Sequence, residues 1–321
     1  MGNRYKDIKS LRIGEEKINN RGSLMRIIDY RSNKDISVLF PEYNWIKEKT
    51  TYEKFSKGTL SCPHEKDIYK ELHTGEEQYN KHGSKMILTE WRKACDIDIY
   101  FPEYDWIYKN NQYSNFIRGS VNCPYERTVR GVGYLGEGEA ITSIENQTTR
   151  QYTVWSSMMD RCYNEKYQIK QPTYIDCSVS PNFCNFNYFW EWDKENYYEV
   201  PGETMCLDKD IITKGNKIYS EDTCVYVPRT INNLFTKNDK IRGDLPIGVK
   251  KLSNKYYAYC SNNKGKEVYL GSFYTSDDAF NVYKNYKEEL IKSVADEYYS
   301  QGLIPYKLYE AMYNYEVDIN D

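Results

Sequence analysis

Two stretches in the second half of the chain, CLDKDIITKGN (206–216) and CVYVPRTINN (224–233), combine carboxylates and amides with the spacing of a hairpin that runs into a helix. Neither contains histidine, the side chain that ordinarily takes a proton near neutral pH. Lysine is a poor replacement, because a free lysine has a pKa of about 10.4 and flanking carboxylates hold its proton more tightly. Lys209, between Asp208 and Asp210, is therefore expected to stay protonated. Asn216, which follows Gly215 in KGNK, reads as a tight-turn residue. All three histidines of the chain, His64, His73 and His82, lie in the first half and read as solvated side chains.

Charge is distributed unevenly around this stretch. The formal net charge is −3, unfavourable for a polyanion ligand when taken globally, so local distribution matters more. Lys250, Lys251, Lys255, Lys264 and Lys266 fall together against Glu267, after a segment from Glu191 to Asp210 that is mostly acidic. The nine cysteines are odd in number and contain no C-x-x-C pair, which argues against a secreted disulfide framework and against a paired zinc site. They read as buried thiols; a zinc site assembled from Cys162, Cys177, Cys206 and Cys224 is the weaker alternative. RGVGYLGEGEA, from Arg130, reads as a connector and not a phosphate loop, since no Lys-Ser pair and no apolar helix follow it.

The elements that must position these residues begin with a duplication. The segment starting GEEKINNRGS at Gly14 aligns without a gap with GEEQYNKHGS at Gly75, each residue 61 positions on. Gly22, Met25, Arg31, Asp35, Phe40, Pro41, Glu42, Tyr43, Trp45, Tyr52, Phe55, Gly58, Cys62 and Pro63 all recur. Met25 and Ile27, then Ile36, Val38 and Phe40, alternate with polar residues across RSNK, the signature of a half-buried hairpin. Each copy is expected to be a small β-barrel of about 50 residues with the aromatics in its core and Arg31 or Arg92 free for a ligand.

Beyond Tyr152 the texture is helical. Val154, Trp155, Met158, Met159 and Cys162 share one helix face, and SPNFCNFNYFWEW from Ser180 places Phe183, Phe186, Phe189 and Trp190 on another. These two helices, RCYN and NFNYFWEW included, followed by LDKDI, GNKIYS and CVYVPRTINNLF, resemble the phage-type HNH homing-endonuclease domain over roughly residues 150–240. The resemblance implies a ββα-metal unit in which Asp208 and Asn232 hold one divalent cation, Mg²⁺ or Mn²⁺ and not zinc. Lys209 stands where that family carries its general-base histidine. Either the oxygen and amide ligands still bind metal and Lys209 stabilises phosphate charge, or the unit is retained for shape alone, with Asp208 in a turn or an ion pair.

The carboxy-terminal part reads as three β-rich runs, LPIGVKK, NKYYAYCS and KEVYLGSF, and a helix capped by Thr275 or Ser276. Ala279, Val282, Tyr283, Tyr286, Leu290 and Val294 mark its packing face, and Leu308, Met312 and Tyr315 a short final helix. GVK at 248–250, YYAY at 256–259 and YLGSFYTSDDAFNVY at 269–283 look like the Apetala/ethylene-response-factor DNA-binding domain found attached to phage homing endonucleases. The resemblance implies that the sheet meets the major groove, with Lys250 and Tyr256 in place of that family's strand arginine and tryptophan, and Lys251, Lys255, Lys264 and Lys266 beside them.

The expected fold is α+β and multidomain: β-modules at 1–70 and 71–130, a Gly-rich connector at 131–150, an HNH-like ββα domain at 151–243 and a three-stranded antiparallel sheet packed on a helix at 244–321. No stretch approaches the roughly 20 apolar residues that span a bilayer, and the first residues carry no signal-peptide pattern, so a soluble, cytoplasmic protein without a membrane partner is expected. The resemblances imply a double-stranded DNA partner and the cytoplasm of a phage-infected or prophage-carrying bacterium. Three functions stay open: a metal-dependent nuclease, a non-catalytic inhibitor of a host defence system that grips protein or RNA with the same modules, and a transcriptional regulator.

Overall fold

Alternating residues of the first segment build the expected strands. β1 (Glu16–Ile18), β2 (Leu24–Ser32), β3 (Asp35–Phe40) and β4 (Trp45–Thr50) pair antiparallel in sequence order, and α1 (Tyr52–Ser56) follows. α2 (Ile68–His73) leads into β5 (Glu77–Tyr79), β6 (Lys85–Lys93), β7 (Asp96–Phe101), β8 (Trp106–Asn111) and α3 (Tyr113–Ile117), which repeat the arrangement. The computed structural model describes residues 11–65, 68–236, 245–262 and 265–319. The chain divides into two compact units, Met1–Cys123 and Pro124–Asp321.

Within the first unit the registers of the two sheets match pair for pair. Arg26 lies opposite Leu39 as Ile87 does Tyr100, and both hairpins shift register at the same places, after Ile27 and Tyr30 and after Leu88 and Trp91. The buried sets correspond too: Met25, Ile27, Ile36, Val38, Phe40 and Phe55 answer to Met86, Leu88, Ile97, Ile99, Phe101 and Phe116. The sheets are open meanders, not the barrels expected from sequence. Four strands, the first of them three residues long, are too few to curl into a closed cylinder. A short helix covers the apolar face instead, α1 inserting Phe55 and α3 inserting Phe116.

The second unit opens with a small hairpin, β9 (Ser143–Ile144) and β10 (Gln147–Thr148), then α4 (Arg150–Tyr163), α5 (Glu165–Lys170) and β11 (Ser178–Val179). α6 (Phe186–Asn196) starts later than expected, because the Asn185 side chain accepts from Asn187 N and Tyr188 N and caps it there. Phe183 is still buried, in the preceding turn, and packs with Trp155, Met158, Phe186 and Phe189. The Gly-rich stretch is part of this core and not a free connector. Tyr134 N donates to Cys184 O, Phe186 N to Tyr134 O and Asn187 N to Leu135 O. Gly136, at φ +72°, has no room for a Cβ, which would lie 2.0 Å from Asn185 Oδ1.

β12 (Met205–Asp208), β13 (Ile218–Tyr219), β14 (Val225–Pro228) and α7 (Arg229–Leu234) come next; β12 pairs antiparallel with β14, and β13 pairs parallel with β11. β15 (Val249–Leu252), β16 (Lys255–Ser261) and β17 (Glu267–Phe273) form the expected three-stranded antiparallel sheet, packed on α8 (Ser276–Ser300). Thr275 caps α8, its Oγ1 accepting from Asp278 N at 3.1 Å. α8 serves two cores. Ala279, Phe280 and Tyr283 pack with Val249, Ala258 and Cys260, whereas Ile291, Val294 and Ala295 pack with Val225, Val227 and Ile231 and with Leu308 and Met312 of α9 (Tyr306–Tyr313). The two stretches that read as separate domains in the sequence thus share one helix of 25 residues. Among the described residues no helix is long and apolar enough to cross a membrane.

Candidate functional site

Asp208 ends β12 opposite Val225, and α7 starts directly after β14, so strand, strand and helix meet in a ββα arrangement. The chain turns sharply at Asp208. Its Oδ1 accepts from Asp210 N at 2.9 Å and from Ile211 N at 2.8 Å, which fixes the orientation of the carboxylate. Burial, and then the neighbouring Asp210 charge, push the Asp208 carboxyl up to about 6, more than the two backbone N–H groups offset. Asp208, Asp210 and Asn232 line one cavity of ≈ 190 Å³, with Tyr174, Lys214 and Thr236 also in its wall.

That donor set, two carboxylates and an amide oxygen, is all hard oxygen and suits Mg²⁺ or Mn²⁺ better than zinc. Among the described residues no group of three or more His, Cys, Asp or Glu side chains converges as a ligand set. Cys162, Cys177 and Cys224 are buried and Cys206 is half-buried; burial pushes the Cys162 and Cys224 thiols up to about 12.

Lys209 points away from this cavity. It is 6% exposed, its Nζ donates to Asn216 O at 3.1 Å and lies 3.2 Å from Asp210 Oδ2, and it sits over the Tyr219 ring. The turn that follows Asp208 carries the next side chain to Asn216 O and to Asp210 Oδ2, which hold it there. The expected phosphate contact therefore has no geometric basis at Lys209. Asn216 does form the turn, its Nδ2 donating to Lys209 O and Ile218 O.

The three-stranded sheet carries its lysines differently from the expected positive platform. Lys250 Nζ lies 2.6 Å from Glu267 Oε1 and 4.5 Å from the Tyr259 ring centre. Lys251, next along the strand, turns to the other side, over Tyr256. Lys255 lies over Tyr274. Lys266 is in the β16–β17 turn, where its backbone N donates to Asn262 Oδ1, and Lys264 falls outside the described residues. Tyr256 packs against the core beneath α8, so it is not on the face of Lys250.

The aromatic residues that do share that face are Tyr257, directly opposite Lys250, and the cross-strand pair Tyr259 and Tyr269, whose rings are 5.5 Å apart. Among the described residues this face carries Lys250, neutralised by Glu267, and Lys255, two positions before Tyr257, within a patch of tyrosines. Counting by twos outward from the buried Ala258 and Cys260 was the sequence signal that separates Tyr257 and Tyr259 from Tyr256.

One polar cluster carries no signal in the sequence, and three side chains differ from expectation. Asp193, part of the acidic run, is fully buried: Arg150 forks onto both its oxygens, the Tyr226 hydroxyl donates to Oδ1, and the guanidinium stacks 3.4 Å over the Tyr197 ring. In the first unit Arg31 is held by Asp29 and Asp35, and Arg92 by Asp96 and Asp98, so neither is the free ligand contact expected of it. His73 is not a solvated side chain; its ring stacks on Trp91 at 4.6 Å and its Nδ1 meets Glu76 Oε2 at 2.9 Å. Comparison with protein-family models, with curated proteins and with solved structures gave no match.

Proposed function

We propose that the chain binds double-stranded DNA through the tyrosine-rich face of its three-stranded sheet, and that the ββα cavity is a divalent-metal site of the HNH homing-endonuclease kind for phosphodiester hydrolysis. The observation that carries this reading is the convergence of Asp208, Asp210 and Asn232 on one cavity at the strand–helix junction. Asp208 and Asn232 are the proposed ligands. A divalent cation there would supply positive charge to favour water deprotonation and to offset charge building on the phosphate. The chain's own contribution is positional: the two backbone N–H groups lock the Asp208 carboxylate, and Tyr174 walls one side of the cavity.

A second reading is favoured by the withdrawal of Lys209 and by the absence of any histidine after residue 82. On it the unit holds nucleic acid or a protein partner without cutting, as an inhibitor or regulator does. Supercoiled plasmid, incubated with Mg²⁺ or Mn²⁺ and with chelator at several salt concentrations, separates the two. Nicking that needs metal and disappears in Asp208→Ala and Asn232→Ala supports the nuclease; binding without metal-dependent nicking, unchanged in those variants, supports the second reading.

A further inference from the structure

The duplicated unit contains a cavity that neither reading uses. It has a volume of ≈ 500 Å³ and lies on the second sheet, walled by Tyr69 and His73 of α2, Trp91 of β6 and Tyr113 of α3, with Arg21 and Lys93 at its rim. Tyr69, His73 and Trp91 are close to parallel: His73 lies 4.6 Å from Trp91 at 24°, Tyr69 lies 6.2 Å from Trp91 at 23°, and Tyr113 stands edge-on to Trp91 at 5.1 Å.

The rings are held by their polar tips. The Tyr69 hydroxyl donates to Asn20 O at 2.6 Å, and Glu76 accepts from the Tyr113 hydroxyl while meeting His73 Nδ1 at 2.9 Å. Anchoring at the tips fixes the ring planes in advance, so a ligand pays little ordering entropy on arrival. The first copy is built otherwise at the same positions. Arg12 stands where His73 does, its guanidinium 4.1 Å over Tyr52 and bonded to Glu15, and Tyr30 replaces Trp91. A cation there takes the place beside the ring that the second copy gives to His73, tilted 4.7 Å from Tyr113.

We propose that this aromatic cavity takes an unstacked base of a single-stranded polynucleotide, with Arg21 and Lys93 on the adjoining phosphates. π-faces bind any base, and cations at the rim set the preference for an anionic chain over an apolar one. Among the described residues no carboxylate lines the cavity. Arg21 is 47% exposed and 3.7 Å from Glu65, and Lys93 is exposed, so both can turn to an incoming phosphate.

The test is fluorescence anisotropy with the full chain and labelled oligodeoxythymidylate, oligouridylate and a duplex of equal length, the first two separating a DNA from an RNA source. Wild type is expected to bind at least one single strand, Tyr69→Ala to weaken it about tenfold, and the Arg21→Glu/Lys93→Glu double variant to weaken it further with a shallower salt dependence. Those rim positions are exposed, so an unchanged thermal melt certifies the fold. Asp208→Ala and Lys250→Ala should leave single-strand binding untouched, which keeps this inference separate from the nuclease reading. Wild-type affinity in Tyr69→Ala and in the double variant overturns it, as does no single-strand binding by the wild type; so does binding of a proline-rich peptide at this cavity in place of the oligonucleotides.

Discussion

Asp193 shows what one side chain decides in this molecule. A carboxylate with no exposed surface, forked by Arg150 and capped by the Tyr226 hydroxyl, ties α4, α6 and β14 together. Removing one partner leaves the other charge without compensation, so Asp193→Ala should lower unfolding stability by roughly 3 kcal/mol in urea titration. On the sheet face the sign is the reverse. Glu267 neutralises Lys250, so Glu267→Gln should tighten duplex binding a few-fold, whereas Tyr259→Ala, which removes a ring from the patch, should weaken it more than Lys250→Ala does. Anisotropy titrations with one duplex at fixed salt compare all three; a Lys250→Ala loss larger than that of Tyr259→Ala would restore the cationic footprint as the main contact. Neither residue role was legible in the sequence, because an acidic run gives no sign of which carboxylate is buried and a lysine cluster gives no sign of which lysine has a carboxylate across the strand.

At the level of elements more could be read ahead. The hairpins of the duplicated modules, the helix face around Trp155 and Met158, the Thr275 cap and the three-stranded sheet follow from periodicity and capping chemistry, which act locally. What failed was long-range. Closure of each module into a barrel depends on how many strands meet, and the Gly-rich stretch gained its role only from α6, which lies about 50 residues further on. Asn19 and Asn80 were missed although they recur in the duplication. Both are buried, with Oδ1 accepting from two backbone N–H groups and Nδ2 donating to Leu60 O or Val121 O. Gly248 offers a direct measurement on the sheet: its φ is +76° and a Cβ would come 2.1 Å from the Tyr283 ring. Gly248→Ala should therefore cost roughly 1–3 kcal/mol, seen as a lower melting temperature and loosened protection of β15 amides in hydrogen exchange.

For the molecule as a whole, the small net charge and the neutralised Lys250 set the character of any polyanion complex. Each phosphate neutralised contributes close to −0.9 to the slope of log K against log salt. With so few uncompensated lysines on the sheet face, duplex binding should show a slope shallower than about −4 between low and moderate salt; a steeper one would reveal cations elsewhere on the surface. The ββα cavity was the part of the candidate site most visible in the sequence, since the family resemblance singled out Asp208 and Asn232 and both line it. The direction of Lys209 was not, because it depends on the turn after Asp208 and on the position of Asn216 O.

One helix belongs to two cores, and that has a mechanical consequence. The first turns of α8 are clamped under the sheet through Phe280 and Tyr283, and its later turns are clamped against α7 through Ile291 and Val294. A rod of about 37 Å held at both ends cannot tilt at one without shearing the other. A displacement of the tyrosine-bearing sheet would therefore be felt by the segment that carries Asn232, with the helix as the lever between the outer sheet and the acidic pocket.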